Sequence, residues 1–112
     1  MKVAIIGSRD IKNITIEDYI PKEITMLVSG GARGSDALAE KWANKNNIPK
    51  LIIKPSYKRY GSKFAPIMRN KTIVENSDMV VAIWDGKSKG TNFTIEYAKI
   101  MNKPVKVYTI AV

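Results

Sequence analysis

A glycine-rich turn at residues 29–36 has the composition of an anion-binding site. It reads Ser-Gly-Gly-Ala-Arg-Gly-Ser-Asp and directly precedes a segment of helical spacing. Closely spaced glycines free the backbone for positive φ, and a helix start adds unpaired N–H groups and the positive end of its dipole. We therefore predict an anion-binding nest formed by Ser29, Gly30, Gly31, Ala32, Arg33, Gly34 and Asp36. The spacing matches neither a Walker loop nor GxGxxG, and the alternative is a plain helix entry capped by Ser35 or Asp36.

Two further turns carry similar chemistry. After the first apolar run, Gly7 allows close approach of a ligand and Ser8 offers a hydroxyl. Arg9 could donate two hydrogen bonds to a phosphate. An ordinary tight turn with a surface arginine explains this turn equally well. The fourth apolar run ends in Trp84, Asp85 and Gly86, and Gly90 and Thr91 open the next helix. This second helix start predicts a further anion contact, with a simple threonine N-cap as the alternative.

Other polar and aromatic side chains are weaker candidates. Asp36 shares a helix face with two alanines that point at the sheet, so it could orient a loop, accept a ribose hydroxyl or cap the helix. Arg69 and Asn70 lie inside a helical segment, where an arginine is usually solvated. Tyr57 and Tyr60 fall in residues 55–63, the longest stretch predicted as a loop, and a ring there could stack on a base.

These turns are positioned by alternating apolar runs and helical segments. The apolar runs are uninterrupted by polar residues, as is typical of strands buried on both faces of a parallel sheet. The strands are predicted at 2–7, 25–29, 51–54, 79–84 and 105–108, and the helices at 15–20, 35–46, 64–76 and 91–101. Thr15 and Asp18 are expected to form a capping pair, and Pro66 to lie in the first turn of its helix. Asparagine followed by proline should end two of the helices, at 46–49 and 101–104.

This alternation predicts an α/β fold with right-handed crossovers. We expect a three-layer Rossmann-like parallel sheet of about five strands, order 3-2-1-4-5, with helices on both faces and one domain over residues 1–112. Ligands of such sheets bind beyond the carboxyl ends of strands 1 and 4. The glycine-bearing turns should therefore converge on one crevice.

Composition narrows the chemistry. The chain has no cysteine and no histidine, so a thiolate nucleophile and the commonest general base are excluded, and no metal site is expected. No apolar stretch is long enough for a signal peptide or a membrane span, which favours a cytoplasmic protein without membrane contact. The net charge of +9 is spread over scattered lysines, so nucleic-acid binding is a minority hypothesis. Trp42 and Phe93, expected to be exposed, and the two sheet edges favour a homo-oligomer.

The sequence resembles the SLOG superfamily over essentially its whole length. The resemblance rests on Ile6 to Arg9, the Ser-Gly-Gly-Ala-x-Gly-x-Asp of 29–36, Arg69-Asn70 and Gly90-Thr91, and it is closest to the small YspA/YpsA-like branch. The superfamily also contains cytokinin-activating phosphoribohydrolases and the DNA-processing protein DprA. The resemblance implies a Rossmann-like domain that binds nucleotides or their derivatives, with Arg69 pointing into the same pocket.

The chain departs from the phosphoribohydrolase pattern where catalysis takes place. Gly90 and Thr91 match its PGGxGTxxE motif, but the double glycine is missing and Thr94 occupies the position of the catalytic glutamate. Glu96 lies two residues further on and points elsewhere on a helix. The leading hypothesis is therefore binding or sensing of a phosphate-bearing nucleotide ligand, with no other cofactor assigned.

Two other hypotheses stay open. An N-glycoside or phosphoester hydrolase would use Asp85, Asp36 or Glu96 as the acid, with Arg69 holding phosphate. DprA-like binding of nucleic acid would use the basic surface.

Overall fold

The computed structural model describes residues 1–111 and contains a five-stranded, fully parallel sheet. The strand order is β3-β2-β1-β4-β5, which confirms the predicted order 3-2-1-4-5. The strands are β1 (Lys2–Gly7), β2 (Met26–Ser29), β3 (Lys50–Ile52), β4 (Met79–Trp84) and β5 (Val105–Thr109). The helices are a 3₁₀ helix (Ile16–Tyr19), α1 (Ser35–Lys45), α2 (Tyr57–Glu75) and α3 (Lys89–Ile100).

Helices cover both faces of the sheet, as predicted. Successive side chains of a strand point to opposite faces, so Val3 and Ile5 of β1 pack in one apolar cluster with α1 and the 3₁₀ helix. Ala4 and Ile6 pack in the second cluster with α2 and α3. The central strands β1 and β4 are buried on both sides, which explains their uninterrupted apolar sequences.

The two predicted asparagine exits end α1 and α3. Asn47 and Asn102 have φ of 56° and 57°, the left-handed conformation that terminates a helix. The next amide in each case bonds back across the last turn, from Ile48 N to Ala43 O and from Lys103 N to Ala98 O, both at 2.9 Å. After these helix ends the chain continues directly into β3 and β5.

The prediction of a loop at residues 55–63 was wrong, because α2 already begins at Tyr57. Gly61, with φ 75° and ψ 171°, breaks the helical backbone, so two consecutive helices meet there at a kink. This glycine gave the segment its loop-like sequence. Pro66 lies five residues after this break, just past the first turn of the second helix and not within it as expected.

Two smaller expectations were also wrong. Thr15 makes no side-chain capping bond; the 3₁₀ helix closes instead through the backbone, from Asp18 N to Thr15 O at 3.1 Å. Trp42 and Phe93 are half-buried rather than exposed, because Trp42 packs against the α1-side cluster and Phe93 stacks on Tyr97 with ring centroids 6.0 Å apart.

Across residues 1–111, no helix combines the length and apolar character needed to traverse a bilayer.

The turn before α1 packs tightly against the turn after β1. Gly34 has φ 80°, and a Cβ built on it would lie 2.7 Å from Arg9 O and 2.8 Å from Ser8 O. At Gly7, a Cβ would overlap Ser35 Oγ and Ile83 O. Both glycines are therefore required by close backbone approach, which holds the two turns side by side at the carboxyl edge of the sheet.

Replacing Gly34 by alanine should destabilise the fold by more than about 2 kcal/mol, because the methyl group meets rigid backbone as well as an unfavourable φ. Gly61→Ala is the matched control, since Gly61 also has φ of 75° but a Cβ added there would have no atom within 4 Å. It should show the backbone cost of this conformation alone, about 1–3 kcal/mol, and so lose less than Gly34→Ala. Urea denaturation measures both losses, and equal losses would show that close packing at Gly34 is unimportant.

Candidate functional site

The predicted convergence of turns forms a cleft of about 430 Å³ at the carboxyl ends of β1 and β4. Its walls come from the turns after β1, β2 and β4 and from the middle of α2, so four separate segments meet there. The lining residues are Ile6, Gly7, Ser8, Arg9, Asp10, Ala32, Asp36, Pro66, Arg69, Asn70, Ile73, Asp85, Lys87, Ser88, Gly90, Thr91 and Thr94. This edge is the position at which parallel α/β sheets bind ligands.

The carboxylate of Asp36 organises the glycine-rich turn. Its Oδ2 accepts hydrogen bonds from Gly30 N at 3.3 Å and Ala32 N at 3.4 Å. Asp36 therefore occupies amides that the sequence assigned to an external anion. The alternative interpretation, capping of α1 by Ser35 or Asp36, is not found: the N-cap is Gly34, without a side-chain bond, and Ser35 Oγ is buried without a hydrogen-bond partner among the described residues.

The surroundings of Asp36 raise the pKa of its carboxyl group to near neutral pH. Burial raises the pKa of this carboxyl group from 3.8 to about 7, against the opposing effects of the Ala32 and Gly30 amides and the positive charge of Arg69. A carboxyl group that exchanges its proton near neutrality, in the wall of a cleft, can serve as a general acid or base.

Arg69 is the central cation of the cleft. Its Nη1 donates to Gly30 O at 2.9 Å and its Nε donates to Asn70 Oδ1 at 2.8 Å. Burial lowers the pKa of Arg69, the charge of Asp36 raises it, and the charge of Arg9 lowers it again. Lys99 and Glu96 form the one ion pair within residues 1–111. No carboxylate in this part of the chain therefore forms a salt bridge with Arg69.

The turn after β4 is held in place by Asp85. Its Oδ1 accepts from Lys87 N and Ser88 N, both at 2.8 Å, and these backbone hydrogen bonds, from Ser88 first, lower the pKa of Asp85. Asp85 N in turn donates to Ser8 Oγ at 3.1 Å, which ties this turn to the one after β1. Asp85 is therefore an ionised organiser of the turn.

The start of α3 presents the backbone groups that remain for a ligand. The N-cap is Ser88, whose Oγ accepts from Thr91 N at 3.3 Å, so Gly90 and Thr91 lie in the first turn and Thr91 is not the N-cap that the alternative interpretation predicted. The first amides of a helix have no partner within it. A Cβ on Gly90 would lie 4.0 Å from Asn70 Nδ2, so this helix start adjoins the Arg69–Asn70 pair.

The predicted binding residues separate into three groups. Gly7, Ser8, Arg9, Ala32, Asp36, Arg69, Asn70, Asp85, Gly90 and Thr91 line the cleft. A neighbouring cavity of about 410 Å³ is lined by Gly30, Gly31 and Arg33, and it shares Arg9, Ala32 and Arg69 with the cleft.

The third group lines neither hollow, that is, neither the cleft nor the neighbouring cavity: Ser29, Gly34, Trp84 and Gly86. Ser29 Oγ donates to Glu40 Oε2 at 2.8 Å and the Trp84 indole donates to Ser88 O at 3.0 Å, so both side chains serve the fold.

Several lining residues were not predicted from the sequence. Asp10, Lys87 and Ser88 line the cleft, and Lys54 lines the neighbouring cavity. Lys54 follows β3 at the same sheet edge, so the rule that placed the other turns could have found it.

The structure also locates Thr94, which occupies the position of the catalytic glutamate, and the three acids that could replace that glutamate. Thr94 lines the cleft and its hydroxyl donates to Gly90 O at 2.9 Å. Glu96 is exposed outside the cleft and pairs with Lys99 at 3.6 Å. Asp36 and Asp85 are the two candidate acids that line the cleft. Residues 1–111 contain no cluster of three acidic side chains suited to a metal ion.

The chain belongs to the YspA, cpYpsA-related SLOG family. The family model matches residues 1–60, which include the turn after β1 and the glycine-rich turn. Arg69, Gly90 and Thr91 lie beyond the matched part, so their membership of the site rests on the geometry described above.

A curated relative is similar to the chain over a longer range. The chain is 30% identical over 117 residues to the Gene 61 protein of Mycobacterium phage D29, and the match covers 93% of each chain. No solved structure matches the chain.

Substitution of Asp36 by asparagine should remove a pH-dependent loss of stability. The folded chain holds a proton on Asp36 up to about pH 7, whereas the unfolded chain releases it near the ordinary pKa of 3.8. Unfolding free energy therefore falls as pH rises across this window and is level above it. Asp36→Asn should match the parent near pH 4 and exceed it by about 4 kcal/mol at pH 8.

Denaturation at several pH values measures this difference. Asp18→Asn, at an exposed carboxyl group on the 3₁₀ helix, is the control for the change in net charge. A difference between the Asp36 variant and the parent that stays constant from pH 4 to 8 would contradict the assignment.

Proposed function

We propose that the cleft binds a nucleotide or a nucleotide derivative through its phosphate. The observation that carries the proposal is the meeting of Arg69, Asn70 and the first turn of α3 in one cleft of about 430 Å³. An arginine without a carboxylate partner, and the first-turn amides that the N-cap Ser88 does not occupy, such as that of Gly90, are complementary to phosphate oxygens. Family membership is consistent with nucleotide-related binding or processing.

The remaining walls suit the nucleoside part. Ile6, Pro66 and Ile73 give the cleft an apolar side, while Asp10 and the Thr91 hydroxyl are polar groups that could contact a ribose. An apolar side that faces polar groups able to fix a ligand's orientation is a feature of small-molecule sites. We assign Asp85 and Asp36 to organising the turns, because both accept backbone amides.

Binding of the four ribonucleoside monophosphates should be detectable by isothermal titration calorimetry, and Arg69→Gln should weaken it at least about tenfold, since a charge-assisted bond contributes roughly 1.5–3 kcal/mol. Arg59→Gln is the matched control, because Arg59 lies on the same helix and lines neither hollow. It should bind like the parent.

Arg69 also supports Gly30, so Thr91→Val is the second variant: it removes a hydroxyl from the cleft wall, keeps the side-chain shape and should also weaken binding. Absence of heat for every nucleotide, or equal affinities for Arg69→Gln, Thr91→Val and the parent, would refute the proposal.

Nucleotide N-glycoside or phosphoester hydrolysis is the second candidate. The observation that favours it is the Asp36 carboxyl group, with its pKa raised by burial to about 7, in the wall of the cleft that contains Arg69. Asp36 is thus the best candidate for an acid–base group in the cleft. Nucleic-acid binding, self-association and a cytoplasmic location stay predictions from the sequence.

Incubation with nucleoside monophosphates and NAD, followed by chromatography, separates the two candidates. A hydrolase should release free base or phosphate, and Asp36→Asn should abolish the release while nucleotide binding persists. Product that forms equally with Asp36→Asn would remove Asp36 from the chemistry. Binding without any product would leave the cleft as a binding or sensing site.

A further inference from the structure

The cavity beside the cleft is lined by positive charges from four separate segments. Arg9 follows β1, Arg33 precedes α1, Lys54 follows β3 and Arg69 lies in α2. No carboxylate lines this cavity of about 410 Å³; its remaining walls are Gly30, Gly31, Ala32, Pro55 and Tyr57. Its composition thus differs from that of the cleft, where three aspartates accompany the cations.

The cavity also adjoins the part of the chain that holds the surplus positive charge. No Asp or Glu occurs between Glu40 and Glu75, and nine Lys or Arg residues do: Lys41, Lys45, Lys50, Lys54, Lys58, Arg59, Lys63, Arg69 and Lys71. The surplus of this segment equals the net charge of +9 of the whole chain. Two of the cavity's four cations, Lys54 and Arg69, therefore have no acidic neighbours in sequence, while Arg9 and Arg33 lie outside this segment.

The positive groups are held near one another by the backbone. Arg69 is fixed on Gly30 O, and the charge of Arg9 acts on it unfavourably. Lys54 lies along Gly31, where an added Cβ would be 3.9 Å from Lys54 Cε. Cations held close together repel one another, and an anion between them relieves that repulsion.

We propose that this cavity is a second anion subsite, and that the ligand of the protein is a nucleotide with more than one phosphate. The inference rests on the proposed function, because the first phosphate lies in the cleft at Arg69 and the start of α3. Arg9 and Arg69 line both hollows, so a polyphosphate chain passes between them. Its outer phosphates then reach Lys54 and Arg33.

The test compares ribonucleoside mono-, di- and triphosphates by isothermal titration calorimetry in buffer without divalent cations. In the parent, affinity should rise about tenfold from mono- to triphosphate, as one or two charge-assisted bonds are added. Lys54→Gln and Arg33→Gln should reduce this gain to less than about threefold. Lys41→Gln, which removes one charge from the same acid-free segment outside both hollows, should keep the full gain.

Equal affinity of mono- and triphosphates in the parent would overturn the subsite, as would a gain that survives in the Lys54→Gln, Arg33→Gln double variant. Inorganic pyrophosphate separates this failure from failure of the proposed function. If no nucleotide binds but pyrophosphate binds and is lost in the double variant, the anion subsite stands and the nucleotide cleft fails. If pyrophosphate also fails to bind at low salt, the subsite is overturned as well.

Discussion

The peptide segment at Gly30 is held from two sides, and the geometry of the cleft depends on this. Its amide, with that of Ala32, donates to the buried carboxylate of Asp36, while its carbonyl accepts from Arg69. The turn after β2 is thereby tied to α1 and to α2, which pack on opposite faces of the sheet. The same bonds place Arg69 between the two hollows.

This arrangement changes how the protein can hold an anion. In a phosphate-binding loop the glycine amides point at the ligand, whereas here an internal carboxylate takes two of the turn's amides. In the proposed function, phosphate is bound instead by Arg69 and Arg9 and by the amides at the start of α3, all of which line the cleft. Glycine content in the turn thus serves close backbone approach, as at Gly34, more than direct contact with a ligand.

The sequence was sufficient to predict most of the fold, because its strongest signals are local. The uninterrupted apolar runs located every strand, and Asn47 and Asn102 adopt the predicted helix-ending conformation. Chain alternation and the switch-point rule then located the cleft. The helix before Gly61 was missed, because a glycine beside aromatic and basic residues looks like a loop when the break inside the helix is not visible.

The site was less predictable, since hydrogen-bond partners depend on tertiary positions. Nothing local indicates that Asp36 reaches back to Gly30 instead of capping α1. Asp85, in contrast, accepts from the amide two positions on in a turn that aspartate commonly forms, and this bond was missed although its signal is local. Arg69 entered the predicted site through family resemblance, because an arginine within a helix carries no signal by itself. Lys54 was accessible in principle from its place after β3.

The central claim is that phosphate oxygens bind where Arg69 meets the start of α3. Amide chemical-shift mapping by NMR tests it most directly, by titrating a nucleoside monophosphate into the ¹⁵N-labelled protein. The largest shifts should fall on Arg9, Asn70, Gly90 and Thr91, with β5 and the second half of α1 unaffected. Shifts confined to other surfaces, or none at millimolar ligand, would contradict the claim.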